Sequence, residues 1–237
     1  QVKTAGTNLL TIYAGSTQAV GGVRGGSGTG VSLLPEDAEA LRDLPDVQYV
    51  AESVGTRLQL IYGNQNWNTS VEGTNVDLPA IRSWGLKYGS FFTDEDVKAA
   101  AKVVVLGSNV ADNLFGEGID PTDTQIRVRN NVFRVLGVMS PKGSSGGGIN
   151  MDDQVFVPYT TVMKKLAGMQ YIQRIYVSAR SADAIQAAQS AVTSTMRTRH
   201  NLNNGEPDDF TIQTLDDIVA LRTQTTQTMT SLLAGIA

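Results

Sequence analysis

Cysteine is absent from the 237-residue sequence, and histidine occurs only once. Without cysteine, the chain has no disulfide, no thiol nucleophile and no thiolate metal site. With His200 as the single histidine, a zinc site would need three carboxylate or water ligands, which is unusual. The sequence therefore predicts neither a metal nor a cofactor.

Cationic residues and long apolar runs are also scarce. The chain has 19 lysines and arginines against 23 aspartates and glutamates, which gives a net charge of −4. This balance disfavours nucleic acid as a partner, because nucleic-acid binding needs a basic surface that neutralises phosphates. No window of about 18 apolar residues is present, so no segment is predicted to span a bilayer. The 41% of hydrophobic residues is typical of a folded globular chain.

Both ends of the sequence have the character of a domain cut from a longer protein. No initiator methionine precedes Gln1, and residues 231–237 become apolar with no helix-ending residue after them. Such an ending is expected just before a transmembrane helix, and a frayed terminus is the alternative. We expect membrane helices on both sides of this chain.

The middle of the chain predicts a strand, a short helix, a hairpin and a further strand. Val103–Leu106 is apolar and β-branched, which predicts a buried strand. Ser108 is expected to cap the helix that follows, and Gly116 is expected to end it. Asn130 and Asn131 tolerate positive φ, so they suit the turn of a hairpin.

Two β-α-β patterns flank this central unit. In the first, residues 35–44 predict a short amphipathic helix, and residues 47–62 then alternate as strands do. In the second, residues 171–179 predict a strand, followed by a long helix with Ser181 as its cap and a strand at 210–213. A last helix is predicted from residue 215 onward. This element order predicts an α+β fold in which two β-α-β units enclose an inserted unit.

No group of residues forms a convincing active site. Asp152 and Asp153 are adjacent, so on a strand they point to opposite faces and cannot form an acid/base pair. His200 lies at a predicted helix end, where we expect a solvent-exposed rather than a catalytic histidine. The glycine-rich loop 15–30 lacks a following Gly-Lys-Ser/Thr, so we expect a surface loop rather than a phosphate site. The acidic run 94–96 is expected to start a solvated helix, with calcium as the alternative.

An ordered series of short motifs resembles the MacB-type ABC transporter permeases. In chain order the matching motifs are Gly6-Thr7-Asn8-Leu9-Leu10, Leu34-Pro35-Glu36-Asp37-Ala38, Val71-Glu72-Gly73-Thr74, Val105-Leu106-Gly107, Asn113-Leu114-Phe115-Gly116, Phe133-Arg134-Val135-Leu136-Gly137-Val138, Val155-Phe156-Val157-Pro158, Arg199-His200 and Asp209-Phe210. The series covers nearly the whole chain. It departs from the family at Leu34, where the family usually has a threonine as the helix N-cap.

The resemblance implies a two-part fold. Residues 1–78 and 150–237 would form a porter-like subdomain of two β-α-β units. Residues 79–149 would form a smaller inserted mixed α/β subdomain, the sabre.

The resemblance also implies a function. The chain would be the non-catalytic periplasmic domain of an inner-membrane permease that couples cytoplasmic ATP hydrolysis to efflux or export. Its partners would be a second copy of the permease, a membrane-fusion adaptor protein and an outer-membrane channel, and the ATPase domain would lie outside this chain. One alternative is a soluble periplasmic ligand-binding protein or enzyme with a cleft between two subdomains. Another is an adhesion or scaffold module.

Overall fold

The computed structural model describes residues 8–15, 33–143 and 150–214, and these contain ten strands and six α-helices. In chain order the elements are β1 (Leu9–Ala14), α1 (Pro35–Arg42), β2 (Val47–Tyr62), β3 (Gln65–Thr74), α2 (Leu78–Ile81), β4 (Leu86–Gly89), α3 (Asp94–Lys98), β5 (Val103–Leu106), α4 (Ser108–Phe115), β6 (Gln125–Val128), β7 (Asn131–Met139), β8 (Gln154–Pro158), α5 (Tyr159–Thr161), a π-helical turn (Val162–Ala167), β9 (Arg174–Ala179), a 3-10 turn (Ala182–Ala184), α6 (Ile185–Arg199) and β10 (Phe210–Thr214).

Four antiparallel strands form the first part of the sheet, in the order β10-β1-β9-β2. Helices α1 and α6 cover one face of this four-stranded part. Their apolar residues pack in a single core with Leu10 and Ile12, which are alternate residues of β1 and therefore lie on the same face. In α6 the side chains at Ala188, Val192 and Met196 are fully buried. Their spacing of four residues places them on one helix face, as an amphipathic helix requires.

Six strands pair in a closed ring, which forms a small barrel. The second half of the 16-residue strand β2 pairs with β3, and the ring continues through β8, β5, β7 and β6 back to β2. Phe133, Val135 and Leu60 are fully buried and belong to the core that fills it. Helix α4 contributes Leu114 to the same core. Because β2 runs through both parts, it joins the four-stranded part to the barrel.

Several local predictions are corrected by the structure. Gly107, not Ser108, is the N-cap of α4, whereas Gly116 does end that helix at φ +99°. In the β6–β7 hairpin the positive φ of 53° falls on Arg129 rather than on the asparagines. The Arg129 guanidinium donates to the Leu166 carbonyl at 2.9 Å, so a tertiary contact outweighs the local turn preference.

The long helix also begins later than the sequence predicts. Ser181 precedes the 3-10 turn without a side-chain capping bond, and α6 starts at Ile185. Two other expectations lie outside the described residues: the glycine-rich loop beyond residue 15 and the helix from residue 215. Among the described residues, none of the helices has the length and apolarity needed to cross a bilayer.

Candidate functional site

Asp37, in the first turn of α1, is the centre of a buried ion-pair cluster. Its carboxylate accepts a hydrogen bond from the Arg199 Nε at 2.8 Å and lies 3.2 Å from the His200 Nε2. It also accepts from the Leu34 backbone N–H at 2.8 Å. That bond is one half of a capping box. The helix therefore keeps half of its capping box even though Leu34 has no side-chain oxygen.

The structure corrects the predicted exposure of His200. The residue lies at the end of α6 as expected, but its side chain is only 8% exposed. Its Nδ1 lies 2.7 Å from an oxygen of Asp209, and the Phe210 ring stands edge-on to the imidazole. Asp209 lies just before β10 and Phe210 is its first residue. The sequence does not predict that this strand lies beside α6. His200 therefore joins α1, α6 and the start of β10.

A second cluster surrounds Arg42, in the last turn of α1. Its guanidinium forms ion pairs with Glu52 at 3.1 Å, Asp77 at 2.9 Å and Glu39 at 3.1 Å. Asn75 donates to both the Glu52 carboxylate at 2.6 Å and a β2 carbonyl at 2.8 Å. The cluster joins α1 to β2 and to the link that follows β3.

Burial and charge pairing act against each other in this second cluster. Burial raises the pKa of Glu52 from the ordinary carboxyl value, and the charge of Arg42 only partly offsets that rise. Burial acts to lower the pKa of Arg42, but Glu52 and Asp77 together raise it above its ordinary value. A buried ion pair of this kind is costly to break by removing one partner.

Glu52 is followed by Ser53, which extends the contacts into the barrel. The Ser53 hydroxyl donates to the Glu72 carboxylate at 2.5 Å, and both residues are buried. Contacts thus follow one another from β10 through His200 and Asp37 to α1, and from α1 to β2 and β3. We refer to this series as the α1 tie, and its residues are Asp209, His200, Asp37, Arg42, Glu52, Ser53 and Glu72.

The segment after β8 fastens the barrel to α3. Thr160 donates to the Val97 carbonyl, Thr161 to the Ala101 carbonyl at 2.8 Å, and the Lys165 ammonium to the Ala100 carbonyl at 2.6 Å. These three carbonyls lie at or just after the end of α3. A helix end leaves carbonyls without intrahelical partners, and these donors satisfy them.

Two adjoining hollows open along α1 and share Tyr159. The larger has a volume of about 570 Å³ and a largely apolar lining that includes Leu34, Met163 and Met169. The smaller, about 300 Å³, is lined mainly by the polar side chains around Arg42. Burial and the negative charge of Glu52 raise the pKa of Tyr159 to about 12.

The acidic residues singled out in the sequence have structural partners. Asp152 accepts from the Lys142 and Gly143 backbone N–H groups, whereas Asp153 accepts from Trp67 and Thr69 side chains. Thr93 caps the helix of the acidic run 94–96. Within the ranges 8–15, 33–143 and 150–214, we find no group of three or more histidine, aspartate or glutamate side chains arranged to hold a metal ion.

Comparison with known proteins identifies the family. The family model of the MacB-like periplasmic core domain matches residues 1–195. The macrolide export ATP-binding/permease protein MacB of Chlorobaculum tepidum is 37% identical over 97% of this chain, and that of Wolinella succinogenes is 35% identical over all of it. The chain spans 35% of the length of each of these two relatives.

Solved structures show the same fold. The periplasmic region of MacB from Actinobacillus actinomycetemcomitans superposes with a TM-score of 0.73 at 23% identity, covering 95% of this chain and 97% of that one. The extracellular domain of the noncanonic ABC-type transporter YknZ from Gram-positive bacteria gives a TM-score of 0.67 at 18% identity, covering 87% of this chain and 100% of that one.

These comparisons confirm the predicted family, the α+β fold class and the periplasmic location. The chain belongs to the MacB-like periplasmic core domain family and is the periplasmic domain of an ABC transporter permease.

Proposed function

We propose that this domain is a non-catalytic coupling body. Movements of flanking membrane helices, driven by ATP hydrolysis in the cytoplasm, would pass through it to partner proteins in the periplasm. One observation carries the proposal: β1 and β10 are antiparallel neighbours, with Leu10 opposite Thr214. The segments that enter β1 and leave β10 therefore meet the domain side by side, at one end of one sheet.

The α1 tie supports this role because it connects those strands to the barrel. A displacement of β10 would reach α6 and α1 through His200 and Asp37, and then β2 through Arg42 and Glu52. Coupling free energies between distant sites are only about 1–3 kcal/mol. A body that deformed easily would dissipate them, so a stiff connection is what the function needs.

The test uses the full-length permease in membrane vesicles, with ATP hydrolysis and efflux measured in parallel. The variant combines Arg42→Met with Glu52→Gln, which removes both members of the Arg42–Glu52 pair and leaves Asp77 and Glu39, 22% and 76% exposed, without their cation. We expect hydrolysis to stay within about twofold of wild type while efflux falls about fivefold or more. Because the curated relatives are named for macrolide export, a macrolide is the first cargo to test.

The matched control is Arg57→Met, which removes an exposed arginine of β2 that has no carboxylate within 4.0 Å among the described residues. It should leave both rates unchanged. Unchanged efflux in the double variant, with normal membrane insertion, would contradict the coupling role of the α1 tie.

We further propose that two copies of the permease act together with a membrane-fusion adaptor and an outer-membrane channel. The similarity to MacB export proteins supports this, since such proteins are components of transporters. Copurification of the full-length permease with a membrane-fusion adaptor from its native membranes would test the assembly. Purification of the permease as a monomer that captures no such adaptor would refute it.

The division into a porter-like subdomain, 1–78 with 150–237, and a sabre, 79–149, stays a prediction. The alternative of a ligand-binding protein would have to use the 570 Å³ hollow beside α1, which is lined by residues of the predicted porter-like part and is not a cleft between two subdomains. It predicts that a bound ligand raises the melting temperature of the chain. A macrolide that shifts the melting temperature of wild type but not of a Met163→Lys variant would favour that alternative.

A further inference from the structure

Two arginines converge on one tyrosine, on the sheet face opposite the one that α1 and α6 cover. Arg82 follows α2 and Arg174 begins β9, and each donates a hydrogen bond of 3.1 Å to the phenol oxygen of Tyr176. The Arg82 guanidinium carbon also lies 5.1 Å from the centre of the Tyr176 ring. Tyr176 is only 7% exposed, so it holds both guanidinium groups in place.

A third cation lies beside them. The Lys142 ammonium donates to the Arg82 backbone carbonyl at 2.7 Å and lies 5.1 Å from the centre of the Trp84 ring. Partial burial and the nearby Arg82 charge lower the pKa of Lys142. We call Arg82, Lys142, Arg174 and Tyr176 the Tyr176 cluster.

The cluster has no carboxylate partner among the described residues. The other half-buried arginines among the described residues are Arg42 and Arg197, and each of them forms an ion pair with an acidic side chain. Within residues 8–15, 33–143 and 150–214, neither Arg82 nor Arg174 forms an ion pair within 4.0 Å. Glu72 contributes to the potential at Arg174, but its Oε1 accepts from Ser53 instead.

Like charges held close together cost free energy, which Tyr176 and Glu72 partly offset by raising the pKa of Arg174 above its ordinary value. An anionic ligand would remove that cost. Guanidinium groups match the oxygens of phosphate in fork geometry, and charge-assisted bonds of this kind are about twice as strong as neutral ones. The Tyr176 hydroxyl accepts both arginine bonds, which leaves its own proton available to a third phosphate oxygen.

We propose that the Tyr176 cluster is a binding site for a phosphate group, carried either by a lipid headgroup or by a free phosphate. Arg82 and Arg174 would donate hydrogen bonds to two phosphate oxygens, and Tyr176 would donate to the third. The exposed Lys142 would add positive charge on the solvent side of the site. The net charge of the chain is −4. A phosphate would therefore be drawn to this cluster by local rather than overall charge.

The experiment titrates the 237-residue chain with two probes at low ionic strength. Inorganic phosphate is followed by calorimetry, and vesicles of phosphatidylglycerol are compared with vesicles of phosphatidylcholine by cosedimentation. Isolated periplasmic or extracellular regions of relatives, covered to 97% and 100%, have been crystallised, so the isolated chain is a suitable sample.

Arg82→Gln and Arg174→Gln should each weaken binding about tenfold, because each removes a charge-assisted bond. Arg82→Lys keeps the charge but loses the fork, so it should also weaken binding while preserving the fold. Arg57→Gln, which removes an exposed arginine elsewhere, should have no effect.

Binding of inorganic phosphate would support the site and identify a free phosphate as a ligand. Binding only to phosphatidylglycerol vesicles would support it with a lipid as the source. The proposal is overturned if neither probe binds, or if Arg57→Gln weakens binding as much as Arg82→Gln and Arg174→Gln do.

Discussion

Among the residues of the α1 tie, Asp37 joins α1 to the end of α6. It is 2% exposed and interacts with Leu34, Arg199 and His200. Asp37→Asn should destabilise the chain by about 3 kcal/mol, because it replaces a buried acceptor with an amide whose NH₂ group faces the Arg199 and His200 side chains. Urea unfolding at neutral pH measures the change in free energy of unfolding.

Asp112→Asn is the matched control, since Asp112 is an exposed aspartate on helix α4. It should change the free energy of unfolding by no more than about 0.5 kcal/mol. Equal effects of the two substitutions would show that the Asp37 contacts contribute nothing beyond surface charge.

Tyr159 makes the stability of the domain sensitive to alkaline pH. Burial raises its pKa from 10.0 to about 12. In that window the unfolded chain releases the phenol proton and the folded chain keeps it, so stability falls as pH rises. Tyr159→Phe should therefore lose less stability than wild type between about pH 9 and pH 12.

Unfolding free energies of the two proteins, each normalised to its value at pH 8, give the comparison. Tyr62→Phe, at an exposed tyrosine, controls for the loss of a hydroxyl as such. Parallel pH curves for wild type and Tyr159→Phe would contradict the proposed linkage.

Sequence reasoning at this scale succeeds for neighbours and fails for distant partners. Asp152 and Asp153 lie in a turn before β8 and not on the predicted strand. The end of α4 at Gly116 does follow from the local sequence. The burial of His200 does not, because its partners lie 163 and 9 residues away and meet only when β10 is placed beside α6. The Tyr176 cluster is hidden for the same reason, since residues 82 and 176 are 94 positions apart.

At the scale of elements, α5 and the π-helical turn pack closely against β3. A Cβ added at Gly73 would lie 2.6 Å from a Val162 methyl and 3.1 Å from the Tyr159 Cα. Gly73→Ala should therefore cost about 1–3 kcal/mol through overpacking. Thermal unfolding of the isolated chain measures the loss.

Gly85→Ala provides the matched control, because nothing lies within 4 Å of the added Cβ there. It should be neutral or slightly stabilising, since alanine restricts the unfolded chain. A Gly73→Ala protein as stable as Gly85→Ala would mean that β3 and the turn can separate at little cost.

Strands and helices follow from local pattern, whereas their pairing does not. The apolar run Val103–Leu106 is the buried strand β5, and the alternation of residues 47–62 is the strand β2. The closure of the barrel depends on the pairing of β2 with β6 and of β3 with β8. These strands are far apart in sequence, so no local propensity specifies which of them meet.

At the scale of the whole molecule, the order of short motifs predicts more than composition does. Composition excludes disulfides and disfavours nucleic acid, but it is shared by many globular chains. The ordered motifs predict the family, which the match over residues 1–195 confirms. The partners and the cargo stay proposals, because the chain spans only 35% of the length of the relatives that are named for export.

The central claim is that the domain moves as one stiff body between its membrane helices and its partners. Because this chain has no cysteine, only cysteines in the rest of the permease need to be replaced before spin labels are placed at Ala187→Cys on α6 and Asn130→Cys on the barrel hairpin, both exposed positions. Diluting labelled permease with unlabelled permease isolates the distance within one domain. Labelling only Asn130→Cys reports the distance between two copies.

Pulsed electron–electron double resonance, which measures the distance between two spin labels, is the most direct measurement. It is applied to the full-length permease without nucleotide and with ATP bound. The account predicts that the 130–187 distance within one domain stays constant to about 2 Å, while the 130–130 distance between copies changes by more than that. A 130–187 distance that changes while the distance between copies stays fixed would contradict it.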